Sequence, residues 1–262
     1  MDKLKKLQDF LRKFNSAVIA FSGGVDSVFL AAVARDVLGD NVLLVTASSG
    51  TYPASEMKEA VELAGLMALK HRVFVSEELE IPGFSDNSPQ RCYYCKRELF
   101  LKIGQIASEE GYSEVFDGSN ADDLNDYRPG RKALAELGIV SPLCEAGLTK
   151  EEIRKYSAEM GLRTASKPSF ACLASRFPYG EKITADKLSR VGTAEDALRR
   201  LGFRQFRVRS HGDLARIEVE SSEMDSAWKI RTELEKICRE AGFTYVSLDL
   251  HGYRTGAMNE VL

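Results

Sequence analysis

No stretch of this sequence comes near the roughly 20 consecutive apolar residues that a helix needs to cross a bilayer, which excludes a helical membrane protein. There is no basic excess either. Lys and Arg number 36 against 39 Asp and Glu, for a net charge of −3, so a dedicated nucleic-acid surface is not expected. The N-terminal "MDKLKKLQDFLRKF" is a charged amphipathic helix without the apolar core and small-residue cleavage site of a signal peptide, so a cytoplasmic location is expected. Internal repeats and low-complexity segments are lacking. Histidines are few and isolated, at 71, 211 and 251, and are expected to be structural. Five cysteines without a secretory leader point to reduced thiols, metal ligands or catalysis more than to a disulfide framework.

What is present is an alternation of two patterns. "SAVIAFS" (16–22), "NVLLVTAS" (41–48), "KHRVFVSEE" (70–78) and "EVFDGSN" (114–120) read as strands. Between them lie the helical patterns "DSVFLAAVARDVLG", "ASEMKEAVELAGLMA" and "KRELFLKIGQIASEEG". Strand and helix in turn imply a parallel sheet with helices on both faces, and ligands in such sheets bind beyond the carboxyl ends of the strands. After "SRFPYGEKI" the texture changes to an αββαβ order, which predicts a small α+β domain. The expected division is an α/β domain over residues 1–180 and an α+β domain over 181–262.

The first strand ends in "FSGGVDS" (21–27). Gly23 and Gly24 remove two Cβ atoms, so backbone N–H groups can approach a ligand, and the turn delivers a helix N-terminus that favours an anion. Ser22 and Ser27 add hydroxyls. Asp26 would repel a phosphate unless Mg²⁺ lies between them. No Gly-Lys-Ser/Thr follows, so this is not a Walker loop. The bland alternative is a tight strand–helix turn with Asp26 or Ser27 as a cap.

The cysteines form a second group. Cys92 and Cys95 stand in "RCYYCK", directly before a helical pattern whose N-terminus favours the thiolate, and Cys172 stands in "SFACLASRFPYG". A CxxC with one distant cysteine can bind zinc with a fourth ligand, act as a redox pair, or hold a 4Fe–4S cluster by three irons. Spacing does not choose among them. Cys144 and Cys238 are expected in the core.

The string "FSGGVDS" resembles the PP-loop of ATP pyrophosphatases, the adenine nucleotide alpha hydrolase-like fold. That resemblance implies ATP bound by Ser22, Gly23, Gly24, Asp26 and Ser27, with Ser48 at the adenine or ribose. It also turns Gly118, Asn120, Asp122 and Arg128 of "DGSNADDLNDYRPG" toward the nucleotide. With "CLASRFPYG", "RVRSHGDLARIE" and "LDLHGYRTGAMN", the whole chain resembles the LarE family, ATP-dependent sulfur-inserting enzymes of nickel-pincer nucleotide biosynthesis. The resemblance implies that a carboxylate of pyridinium-3,5-biscarboxylic acid mononucleotide is adenylated and its oxygen exchanged for sulfur. In the sacrificial type of the family the cysteine corresponding to Cys172 gives up its own sulfur, and that type has Trp-Tyr-Tyr-Ala where this chain has Cys-Tyr-Tyr-Cys. Three cysteines match the branch that carries a 4Fe–4S cluster, with Cys92, Cys95 and Cys172 as its ligands. Asp26, Lys96, Cys172 and Arg176 are then the expected catalytic group, Lys96 and Arg176 contacting substrate or AMP. Arg207 and Arg209, alternating on one strand face, suit the substrate phosphate. ATP, Mg²⁺ and the cluster are the implied cofactors, and a homo-oligomer, a hexamer, is the implied assembly. The sulfide source is not encoded in these motifs. Two other readings are a tRNA-thiolating PP-loop enzyme, against which the acidic balance speaks, and a nucleotide-binding module with structural zinc.

Overall fold

The computed structural model describes residues 2–125, 129–254 and 256–257. These divide into two compact units. The first comprises residues 1–49, 54–77 and 90–167, and the second residues 50–53, 78–89 and 168–262.

In the first unit the elements run α1 (Lys3–Leu11), β1 (Ala17–Ala20), α2 (Val25–Leu38), β2 (Val42–Ser48), α3 (Ala54–Leu66), β3 (Lys70–Val75), α4 (Arg91–Glu109), β4 (Glu114–Phe116), α5 (Gly130–Glu136), α6 (Pro142–Glu145) and α7 (Lys150–Glu159). The four strands form one all-parallel sheet in the order β3-β2-β1-β4. Strand alternation splits its apolar residues between two helical layers. Ala17 and Ile19 of β1, with Val42 and Leu44 of β2, join a core with α1, α2, α3, α6 and α7. Val18, Leu43 and Val45 face Phe100, Ile103 and Ile106 of α4 and Leu134 of α5. With both faces covered, β1 and β2 read as continuous apolar runs.

The order has one topological consequence. The chain moves outward from β1 through β2 to β3, then crosses back to add β4 on the other side of β1. The loops leaving β1 and β4 therefore diverge at the sheet's switch point, where α/β sheets place their ligands. Those loops carry "SGGVDS" and "DGSN".

The second unit is built on α8 (Ala185–Arg200), β5 (Phe206–His211), β6 (Leu214–Val219), α9 (Met224–Lys229), α10 (Arg231–Glu240) and β7 (Tyr245–Leu248). Its sheet has the order β5-β6-β7, with β5 antiparallel and β7 parallel to β6. Leu188, Val191 and Leu198 of α8 are buried, as are Val208, Ile217, Val219, Leu234 and Cys238. The one helix that the αββαβ order places before the last strand is two, with the break at Ile230. Leu173, Phe177 and Ile183 are also buried here, together with Phe84 from the inserted segment 78–89. Among the described residues no helix is long and apolar enough to cross a membrane.

Candidate active site

The loop after β1 is shaped by two glycines for different reasons. Gly23 has φ +69°, and a Cβ there would lie 3.0 Å from the Ala60 Cα, so conformation and space both demand glycine. Gly24 is the extended N-cap of α2 and offers no side chain to the first-turn amides, which leaves that helix end open to an anion. The two serines close the loop from within. Ser27 Oγ donates to Gly24 O at 3.1 Å, and Ser22 Oγ accepts from Gly24 N at 3.3 Å. Lys167 braces it from outside, donating to Gly23 O at 3.3 Å while paired with Glu56 and Glu59 at 2.9 and 2.8 Å.

Asp26, in the first turn of α2, is where the two loops meet. Asn120 Nδ2 donates to its Oδ1 at 3.3 Å, and Lys150 Nζ is paired with its Oδ2. A Cβ on Gly118 would lie 3.4 Å from Ser27 N and 3.6 Å from the Asp26 Cβ, ordinary van der Waals distances that place the β4 loop directly against the start of α2. Asn120 is held in turn, its N–H donating to Asp123 Oδ2 and its Oδ1 accepting from Asp122 N. Asp122 accepts from the Lys150 backbone N–H at 2.8 Å, so its carboxylate supports the start of α7. Buried Asp117 accepts from Ser119, Ser141 and, at 3.4 Å, Lys96. Ser48 is the last residue of β2 and is half-buried. Arg128 lies outside the described residues.

The cysteines are distributed over both units. Cys92 and Cys95 lie one turn apart at the start of α4, the first exposed and the second half-buried, in the first unit. Cys172 is half-buried in the second unit and begins the 3₁₀ turn Leu173–Arg176. Among the described residues no three His, Cys, Asp or Glu side chains are gathered as ready metal ligands. Cys238 is fully buried as expected, its thiol pushed up to about 12 by burial. Cys144 corrects the expectation of a core residue. It is half-buried beside the β4 loop, donating to Asn120 O at 3.0 Å, because the short helix α6 ends at the surface of that loop. Burial, with Asp117 next in weight, pushes its thiol up to about 11, so it stays protonated near neutrality.

In the second unit three arginines lie buried around two glutamates. Arg176 has no exposed surface. Its Nε and Nη2 each lie 2.8 Å from an oxygen of Glu195, and its Nη1 donates to Ala171 O, Cys172 O and Ser175 Oγ. Its guanidinium therefore ties the Cys172 segment to α8. Burial alone would raise the Glu195 carboxyl, but Arg176 overrides it and holds the group below its ordinary value. Glu195 Oε1 also accepts from Val208 N at 2.9 Å, so the same carboxylate fixes β5. Arg209 donates from Nε and Nη2 to Glu218 Oε2, at 3.0 and 2.8 Å. The hydrogen bonds of Arg207 among the described residues go to backbone, to Phe206 O at 2.6 Å and Ser169 O at 3.0 Å. It also packs its guanidinium 5.0 Å from the Tyr253 ring. Burial, and then Arg176, draw its pKa down to about 10. A buried guanidinium with no bonded carboxylate is the member of this set that an anion would neutralise.

No family model matches the chain. Relatives do. An uncharacterized protein of Synechocystis sp. is 44% identical over 262 residues, covering 99% of this chain and 98% of its own. The pyridinium-3,5-bisthiocarboxylic acid mononucleotide synthase of Lactiplantibacillus plantarum is 37% identical over 253 residues, covering 96% of this chain and 92% of its own. This chain belongs to the LarE family. A glutamine-hydrolyzing GMP synthase polypeptide of Archaeoglobus fulgidus, 29% identical over 165 residues, matches 57% of this LarE chain and 52% of its own. The α/β fold with its all-parallel sheet is the PP-loop fold that such relatives share.

The motifs of this LarE chain mark the loop residues but carry no sign of Lys150 and Lys167, which contact those loops, or of Glu195 and Glu218, which pair with Arg176 and Arg209. The sequence "TKEE" does mark the start of α7, since Thr149 and Glu152 form a capping box. Nothing local connects Lys150 to Asp26, 124 positions away.

Proposed function

We propose that this protein is an ATP-dependent sulfurtransferase that adenylates a carboxylate of pyridinium-3,5-biscarboxylic acid mononucleotide and converts it to a thiocarboxylate. The observation that carries this reading is the meeting of the Ser22–Ser27 loop with Gly118 and Asn120 over Asp26, in a chain similar to a named synthase along nearly its whole length. A carboxylate is a poor acyl electrophile, and attachment of AMP supplies the leaving group. The amides of α2 and the Ser22 and Ser27 hydroxyls bind the departing pyrophosphate. Asp26, a part-exposed carboxylate beside that helix end, has the right chemistry to hold Mg²⁺, which would screen the phosphate charge. Lys96, on Asp117, stands ready for the acyl-adenylate or AMP. Arg207 and Arg209 take the substrate phosphate, Arg207 as the guanidinium without a carboxylate. Arg176 holds the Cys172 segment in position.

Three thiols, two of them at CxxC spacing on an accessible helix end, suit an iron–sulfur cluster, and Cys92, Cys95 and Cys172 are its proposed ligands. When bound, a 4Fe–4S cluster with an open iron would supply exchangeable sulfur to the activated carboxylate. A hydrosulfide replaces AMP at the acyl carbon: the C–S bond forms, the C–O bond to AMP breaks, and the sulfur loses its proton. The protein works as a cytoplasmic homo-oligomer in this reading. The test is turnover. Protein reconstituted anaerobically with iron and sulfide, then given ATP, Mg²⁺, substrate and sulfide, should make AMP, pyrophosphate and more than one thiocarboxylate per chain, with Cys172 unchanged in mass. A yield capped at one sulfur per chain, with dehydroalanine at position 172, would replace this reading with the sacrificial one.

A further inference from the structure

Three lysines stand around the nucleotide loops, and they differ in what they hold. Lys167 is enclosed by Glu56, Glu59 and Gly23 O, and its side chain is only 13% exposed. Lys96 lies on Asp117. Lys150 alone is paired with Asp26, the carboxylate to which the proposed function gives the metal ion. Resting on that reading, we infer that Lys150 is a second cation for the pyrophosphate, exchanging the Asp26 carboxylate for the phosphate oxygens of ATP.

The argument is one of charge and reach. Both Asp26 oxygens are engaged, Oδ1 by the neutral Asn120 amide and Oδ2 by the Lys150 ammonium. A divalent cation on Asp26 can share the carboxylate with an amide but is repelled by an ammonium on the same group. Lys150 has to give up Oδ2 when the metal comes. Its backbone cannot follow, because its own N–H is bound to Asp122 at 2.8 Å and it opens α7 behind the Thr149–Glu152 capping box. The side chain can, on a flexible four-carbon stem. The pair is also accessible, with side chains 31% and 21% exposed for Lys150 and Asp26. Asp26 is the second residue of α2, so an ammonium released there remains at the helix end where the phosphates bind. Pyrophosphate leaves carrying more negative charge than one Mg²⁺ neutralises, and a positioned ammonium stabilises it most as it departs.

The test uses the full chain, with inorganic pyrophosphate plus Mg²⁺ as one probe and Mn²⁺ alone as another. Calorimetry of K150M should show pyrophosphate binding weakened about tenfold or more, the loss expected for one charged hydrogen bond. Mn²⁺ binding without pyrophosphate, read by electron paramagnetic resonance, should strengthen, since the competing ammonium is gone. Unchanged pyrophosphate affinity in folded K150M overturns the inference. So does weakened Mn²⁺ binding, which would mean that Lys150 only orients Asp26. K150Q answers the same question if K150M does not fold. D26N separates the two levels. If D26N binds Mg²⁺–pyrophosphate as well as the wild type, the role given to the loop carboxylate fails and takes this inference with it. If D26N loses binding while K150M and K150Q keep it, only the assignment of Lys150 fails.

Discussion

Arg176 shows what one side chain settles. Its charge is fully buried, which is tolerable only because Glu195 meets it with both oxygens and three further acceptors take Nη1. Truncation to Met strands the glutamate. We expect R176M to lose about 3–5 kcal/mol at neutral pH, the usual cost of leaving one partner of a buried pair alone, measured as a shift in the urea midpoint. The pH dependence gives an independent check. The folded carboxyl of Glu195 lies below its ordinary 4.5, so its contribution is complete above about 4.5 and is lost as pH falls through the lowered value. In R176M the stranded Glu195 instead takes up a proton readily. The gap between variant and wild type should therefore narrow at acid pH, and a gap independent of pH would show that lost packing, not lost charge, is responsible.

Among the elements, β3 is an edge strand whose backbone ladder to β2 is supplemented by one side-chain hydrogen bond. Thr46 Oγ1 of β2 has a single proton, which it donates to Phe21 O at 2.7 Å. His71 of β3, 2.8 Å away, must then be the donor from Nε2, so Nδ1 is the nitrogen left to take a proton. Burial lowers the His71 pKa below 6.5. A base lowered in this way adds stability above 6.5 that is lost as pH falls through the folded value. We expect amide protection in β3 to decline as pH drops below about 6.5, and H71Q, which keeps a donor, to remove that slope. An unchanged slope in H71Q would assign it elsewhere. The elements themselves were largely legible in the sequence. β1 and β2 announced themselves because both their faces are covered, and the αββαβ order expected of the second unit holds except that its second helix is broken into α9 and α10 at Ile230. The site was legible only where its chemistry is local. "SGGVDS" carries its own turn geometry, whereas the pairing of Asp26 with Lys150 or of Arg176 with Glu195 depends on where the fold brings distant residues, which no spacing records. The place of Cys144 is hidden from the sequence for the same reason: its partner is a carbonyl of the β4 loop.

On the scale of the molecule, the chain passes between its two units five times, at residues 49/50, 53/54, 77/78, 89/90 and 167/168. The short inserted stretches are tied to the second unit by backbone hydrogen bonds. Leu173 N donates to Thr51 O, Ile183 N to Ser85 O, and Gly180 N to Asn87 O, at 2.8, 2.8 and 3.0 Å. Asn87 adds its side-chain amide to Phe177 O and Pro178 O. In native hydrogen exchange the Leu173, Gly180 and Ile183 amides should be protected in the whole chain. In a fragment of residues 168–262 they should exchange freely and the fragment should fail to fold. Native-like protection in the fragment would show that the inserted stretches are dispensable. The same arrangement imposes an order on biosynthesis. At roughly 5–20 residues per second, Ser85 leaves the ribosome about 5–20 s before the Ile183 amide it will accept. The first unit can be complete by residue 167 while "GTYP" and the stretch 78–89 still wait for their partners. Through that interval the nascent chain carries two unfinished edges, and the backbone carbonyls of Thr51, Ser85 and Asn87 wait for the Leu173, Ile183 and Gly180 amides until the last third of the protein has been translated.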